Sequence, residues 1–353
     1  MSLSRRALLS TLALAAPTPA FAQWPFGLGR RTPKVPAGRA DYAGLPLRQQ
    51  FGDWQFDQIR AAVSTRLQPV IRDGLEARFV QSLGALPGVE AAMAAVAEPG
   101  GAVWTHTWTR DPGRPPTRFA WDGLVETYTA TAVLQLAQAG EAGLDGTIDR
   151  WAPGLPNARW ITLEDLLAHT SGLPDAALAT AAGLPPAFAP GAGWGASEAN
   201  SALLRQVLEA TDQTPWAQAL ARRIAQRRDL VETDFGTADG LVWASALDVV
   251  RFWRDLLGDR LHGREITGRR FYRLHPTGMA PGDYAGLGVR VRDLAAEGPS
   301  PADTWLFYEG AAPDAPAMVT YSMARRATVA VVLRGTGAAD PVAQSLLNAL
   351  PLA

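Results

Sequence analysis

Two pairs of short apolar runs stand near opposite ends of this 353-residue chain, with a long stretch of helical patterning between them. Val89 to Val96 and Ala102 to Trp108 flank Glu98-Pro99-Gly100-Gly101, the pattern of a β-hairpin with a longer loop. Ala317 to Ser322 and Thr328 to Leu333 form the second pair, and a closing helix is expected over Asp340 to Leu350. Helical spacing at Phe56, Ile59, Val63, Leu67 and Val70 precedes the first pair, and the region from about 122 to 270 reads as helical. Helix, strands, helical block, strands, helix implies an α/β (α+β) domain over 49–353. One sheet is built from both chain ends and flanked by helices, with an all-helical subdomain inserted over about 120–275.

The N-terminus has a different grammar. Arg5-Arg6 precede an apolar run from Ala7 to Ala16, and Ala20-Phe21-Ala22 follows. Basic start, apolar middle and small-x-small site predict a signal peptide over 1–22, cleaved after Ala22, and a periplasmic protein starting at Gln23. Ser4-Arg5-Arg6 resembles a twin-arginine signal, which carries folded proteins. The apolar run is too short for a membrane span, and no later stretch of ~20 uninterrupted apolar residues follows. Residues 23–48, with Pro25, Pro33, Pro36 and Pro46, read as a Pro/Gly-rich tether.

Composition removes several function classes. The chain has no cysteine, which excludes thiol catalysis, disulfides and iron–sulfur ligation. Four histidines, at 106, 169, 262 and 275, lack metal-ligand spacing, so neither a metal nor a cofactor is expected. A net charge of −1 supplies no field to recruit nucleic acid or an anionic membrane. Of the 33 basic residues only Lys34 is lysine, and arginine does not serve as a proton-transfer base.

Ile161-Thr-Leu-Glu-Asp-Leu-Leu-Ala-His169-Thr170-Ser171-Gly172-Leu173-Pro174 is the most telling stretch. It resembles the "IT…LL.HTSGLP" segment of the serine β-lactamase and penicillin-binding-protein family, which includes D-alanyl-D-alanine peptidases and related esterases. Leu86-Pro-Gly-Val89, Thr127 to Leu136, Ala238 to Phe252 and Tyr284-Ala-Gly-Leu-Gly288 resemble further family landmarks in family order. The resemblance covers about 55 to 345 and implies a β-lactamase/transpeptidase-like fold with an antiparallel sheet. His169 and Ser171 stand two apart at a helix end and do not face one another, so local backbone bonding is expected of them.

The resemblance also implies where catalytic groups belong: a Ser-x-x-Lys, a Tyr-x-Asn and a Lys/His-x-Gly. Aligned on Phe119 and Thr127, the first becomes Gly123-Leu124-Val125-Glu126. Aligned on Pro190-Gly191 and Trp194, the second becomes Ala196-Ser197-Glu198. The third becomes Tyr308-Glu309-Gly310, and only its glycine survives. His275-Pro-Thr-Gly278 mimics the third motif but precedes the glycine-rich strand and reads as a loop turn. With a single lysine, no Ser-x-x-Lys exists anywhere in the chain.

The substitutions share a sign, since Glu126, Glu198 and Glu309 are carboxylates and Asp122 precedes Glu126 by one turn. Asp122, Glu126, Glu198, Tyr308 and Glu309 are the candidate ligand-binding residues, expected to converge on one pocket. Like-charged carboxylates raise one another's pKa unless an arginine sits among them. Three readings stay open: solvated rim acids of a decayed pocket, a binding site for a cationic or polyhydroxylated ligand, and acid–base chemistry by a carboxylate pair. The favoured expectation is a non-catalytic protein that binds a cell-envelope small molecule, a peptidoglycan-like ligand or a partner. The competing one is a hydrolase working by an unrecognised route.

Overall fold

The computed structural model describes residues 67–352, apart from 114, 122, 237–240, 272, 295–302 and 313. The expected signal and tether lie outside the described residues. Helix α1 (Pro69–Gly84) leads into strands β1 (Val89–Ala97), β2 (Val103–Thr109) and β3 (Phe119–Trp121). Helices α2 (Leu124–Gln138), α3 (Leu163–Leu167), α4 (Leu178–Ala181), α5 (Glu198–Asp212) and α6 (Trp216–Leu220) follow. Short strands β4 (Asp234–Phe235) and β5 (Val242–Ala244) precede α7 (Ala246–Leu257) and α8 (Arg264–Arg270). The chain closes with β6 (His275–Pro276), β7 (Asp283–Ala285), β8 (Arg290–Asp293), β9 (Thr304–Ala312), β10 (Ala315–Ser322), β11 (Ala327–Gly335) and α9 (Ala339–Asn348).

The main sheet has the order β2-β1-β11-β10-β9-β8-β7-β6, and every pairing is antiparallel. Both chain ends therefore share one sheet, with Ala92 opposite Leu333 and Val96 opposite Val329. The β1 sequence Val-Glu-Ala-Ala-Met-Ala-Ala-Val-Ala is rich in alanine, which alone favours helix. Tertiary burial overrides that preference, because every residue of the strand except Glu90 is buried. Ala92, Ala94 and Val96 pack with Leu75 and Phe79 of α1 and Leu346 of α9. Alternate residues Ala91, Met93 and Ala95 pack with Val249 and Trp253 of α7 on the other face.

The inserted block also carries a small sheet, β3-β5-β4, within its helices. Phe119 and Trp121 bury alternate side chains there, and the Trp121 indole N–H donates to the Ala244 carbonyl at 3.0 Å. His275-Pro276 pairs with β7 at the sheet edge instead of standing in a plain loop turn. Helix α3 starts with a reciprocal cap. The Asp165 N–H donates to Thr162 Oγ1 at 3.2 Å, and the Thr162 N–H donates to Asp165 Oδ2 at 2.9 Å. The helix ends where His169 takes φ 56° and Gly172 takes φ 76°. No helix among the described residues is long and apolar enough to cross a membrane.

Candidate ligand site

Gly123 caps the N-terminus of α2 with φ 73°, a left-handed conformation that glycine adopts without steric cost. A Cβ at this position would stand 3.0 Å from the Glu309 carbonyl oxygen, 3.2 Å from Gly310 Cα and 3.3 Å from the Tyr308 ring. Glu126 follows in the first turn of α2, where the helix N-terminus favours a negative charge.

Three side chains donate to the Glu126 carboxylate. Ser201 Oγ reaches Oε1 at 2.7 Å, His169 Nε2 reaches Oε2 at 3.2 Å, and the Tyr308 hydroxyl donates to the same Oε2. The imidazole is held from behind. Ser171 Oγ donates to Asn200 Oδ1 at 2.6 Å, so the Asn200 amide NH2 faces His169 Nδ1 at 3.1 Å. With Nδ1 accepting, the Nε2–H is the donor to Glu126. Burial alone would push the Glu126 carboxyl up. The hydrogen bonds donated by His169, Tyr308 and Ser201 outweigh it and hold the pKa low, at about 2. Of the Glu126 side chain, 27% remains open, and it opens into a cavity.

That cavity has a volume of about 270 Å³. Leu167, Trp194, Leu204, Met279 and Val289 give it apolar walls, and the buried Trp194 indole N–H has no partner among the described residues. Two arginines line it, each among carboxylates. Arg290 donates to Glu309 at 2.6 Å and pairs with the buried Asp283, and its guanidinium lies 4.9 Å from the Phe307 ring centre. Arg205 stacks 4.5 Å from the Trp216 ring centre. Burial lowers its pKa, and Glu126, Glu198 and Glu209 act in the opposite sense.

A third arginine stands behind the wall. Arg270 of α8 is fully buried and donates to the Leu287 carbonyl at 2.8 Å and to Thr131 Oγ1 of α2 at 2.9 Å. Burial brings its pKa down to about 9. Its third neighbour is His262 Nε2 at 3.2 Å, and burial and the arginine charge bring the His262 pKa down to about 3. Arg270 thus fastens the Gly286–Gly288 wall to α2. A Cβ on Gly288 would collide with Ala130 Cβ at 2.2 Å, so the wall approaches α2 as closely as glycine allows.

Among the residues proposed from sequence, Gly123, Glu126, Ala196, Tyr308 and Glu309 line the one cavity. Gly310 contributes backbone beside Gly123. Glu198 does not line the cavity. As the first residue of α5 it is solvent-exposed, its N–H donates to Asp175 at 3.0 Å, and its charge favours the charged form of Arg205. Asp122 lies outside the described residues.

One expectation meets its own exception, an arginine among the acids, and one needs correction. The acids are not an uncompensated like-charge cluster, because Glu309 pairs with Arg290 and lies 3.9 Å from Arg292, while Glu126 collects three donors. Second, His169 and Ser171 do more than brace local backbone. Ser171 does accept from the Leu173 N–H at 3.1 Å, but His169 reaches across the site to Glu126. Sequence reasoning gave His169 a local role only and gave none to Ser201, Arg205 and Arg290. Ser201 and Arg205 carry a signal, the four-residue spacing of one helix face. Arg290 carries none beyond its place after Tyr284-Ala-Gly-Leu-Gly288.

Comparison with known proteins agrees with this geometry. A family model described as beta-lactamase matches residues 77–351. Penicillin-binding protein 4* of Bacillus subtilis (strain 168) is 33% identical over 85 residues, 22% of this chain and 19% of that protein. Esterase EstB of Burkholderia gladioli is 30% identical over 166 residues, 37% of this chain and 42% of the esterase. The chain thus spans less than half of each of these relatives. D-amino acid amidase from Ochrobactrum anthropi SV3, in complex with L-phenylalanine amide, superposes with a TM-score of 0.69 at 17% identity. That match covers 79% of this chain and 98% of the amidase chain, and it shows a shared fold.

Proposed function

This chain belongs to the beta-lactamase family, and from that membership we propose that it holds a small cell-envelope ligand in the family cavity without forming an acyl-enzyme. The observation that carries the reading is Gly123. No hydroxyl exists there, and the space a side chain would need is taken by Glu309, Gly310 and Tyr308. Glu126, in the position matched to a lysine, supports it. A carboxylate with a pKa of about 2 is a poor acceptor for a hydroxyl proton at neutral pH. The names of its relatives make peptidoglycan-like fragments and small acyl or amino-acid derivatives the first ligands to try.

We place the working protein in the periplasm, exported by the leader at 1–22; N-terminal sequencing of the envelope fraction should find Gln23 first and not Met1. A second reading has one observation in its favour, the 2.7 Å contact from Ser201 Oγ to Glu126, which sets a hydroxyl against a carboxylate as a hydrolase would. One experiment separates the two. The protein is incubated with a fluorescent penicillin and a panel of nitrophenyl esters, then followed by intact mass and by product absorbance. No adduct and no turnover above buffer is the expected result. An adduct or turnover that vanishes in Ser201→Ala would overturn the non-acylating reading and establish the second.

A further inference from the structure

The hydrogen atoms at the cavity floor are already committed. Glu126 is an acceptor, and the Ser201 hydroxyl, the Tyr308 hydroxyl and the His169 Nε2–H all point their protons at it. The other ring nitrogen of His169 is taken by Asn200. What remains on Glu126, Ser201 and Tyr308 is lone pairs, so this part of the floor accepts hydrogen bonds and offers none. A β-lactam or ester carbonyl, which needs donors, finds none on these three groups.

The charges lean the same way. Arg290 is shared between Asp283 and Glu309, and Arg205 has Glu126, Glu198 and Glu209 within electrostatic reach. Arg205 and Arg290 thus each have at least two carboxylates in reach, with Glu309 shared between Arg290 and Arg292. The walls around this floor are apolar, from Leu167, Leu204, Val289 and Trp194.

We infer that the cavity takes a small ligand with a primary ammonium head, seated against Glu126, Ser201 and Tyr308, and an apolar body between Leu167, Leu204 and Val289. A primary ammonium carries three donors and no acceptor, the complement of this floor. The inference rests on the non-acylating reading and names its ligand class. Trp194, with its unpaired indole N–H, adds one donor for a hydroxyl or carbonyl on the ligand body.

Three probes of similar shape test it by calorimetry on the full chain: 2-phenylethylammonium, 2-phenylethanol and phenylacetate. The ammonium should bind at least ten-fold more tightly than either of the others. Glu126→Gln, which keeps the shape and turns one acceptor into a donor, should erase the preference. If Glu126→Gln does not fold, the wild-type ranking decides alone. Equal binding of the three, tighter phenylacetate, or no binding of any would overturn the ammonium assignment. None of those outcomes touches the non-acylating reading, which fails only on the adduct and turnover measurements.

Discussion

The Tyr308 hydroxyl on β9 donates to the Glu126 carboxylate on α2, joining the sheet wall of the cavity to its helix wall. By resemblance, these positions match a Lys/His and a lysine, two groups that both donate. Here one has become a pure acceptor and the other a donor, so the two substitutions complement each other. The bond also spans the space beside Gly123, whose missing Cβ would have met the Tyr308 ring.

Glu126→Gln should therefore cost about 2–3 kcal/mol of stability, because hydrogen bonds to a charged group are worth ~1.5–3 kcal/mol and the amide turns a donor toward donors. Urea midpoints measure this. In a double-mutant cycle with Tyr308→Phe the two changes should couple, since the residues share one bond.

The same carboxylate should leave a mark on the pH profile of stability. Its pKa falls from an ordinary 4.5 to about 2 on folding. A depressed carboxylate contributes stability that is whole above pH 4.5 and is lost as the pH falls through about 2. Between those limits the unfolding free energy of the wild type should drop more steeply than that of Glu126→Gln. Parallel profiles would show that Glu126 is not held low.

Gly123→Ser should destabilise the protein without creating acylation. A left-handed conformation costs a non-glycine residue about 1–2 kcal/mol, and contacts near 3 Å add to it. Thermal melting reads the first effect and intact mass after penicillin treatment the second. Gly123→Ala should melt equally low, because the Cβ and not the hydroxyl causes the strain.

Arg290 stabilises a buried acid. Apart from Arg290, Asp283 accepts from Thr277 Oγ1 at 2.8 Å. Arg290→Met should cost about 3–5 kcal/mol by leaving that charge uncompensated. Pairing it with Asp283→Asn should recover part of the loss, as denaturant titration of the four variants will show.

The fold is legible in the sequence where periodicity and local chemistry agree. β1, β2, β10 and β11 announce themselves as apolar runs between turn residues, and α3 carries its capping pair Thr162 and Asp165 in plain sight. The site is legible only in part. Gly123, Glu126 and Tyr308 come from matching motifs, but motif matching treats Tyr308 and Glu309 as one unit. They are neighbours on a strand, so their side chains leave opposite faces, and Glu309 turns to Arg290. The reach of His169 to Glu126 is illegible for a different reason. Its partner lies 43 residues away along the chain, and no local pattern reports a left-handed turn that swings an imidazole across a cavity.

The pairing of Ala92 with Leu333 has a consequence in time. A ribosome delivers β1 long before its inner neighbour β11, with the whole inserted block in between. Until then β1 has only β2 beside it, and its other edge, rich in exposed backbone N–H and C=O groups, waits unpaired. Assembly of the main sheet thus waits for β11 with a large loop to close, and is slow by the usual dependence on contact order. A chain that stalls or is cut before residue 327 is left with the hairpin most prone to join another copy of itself.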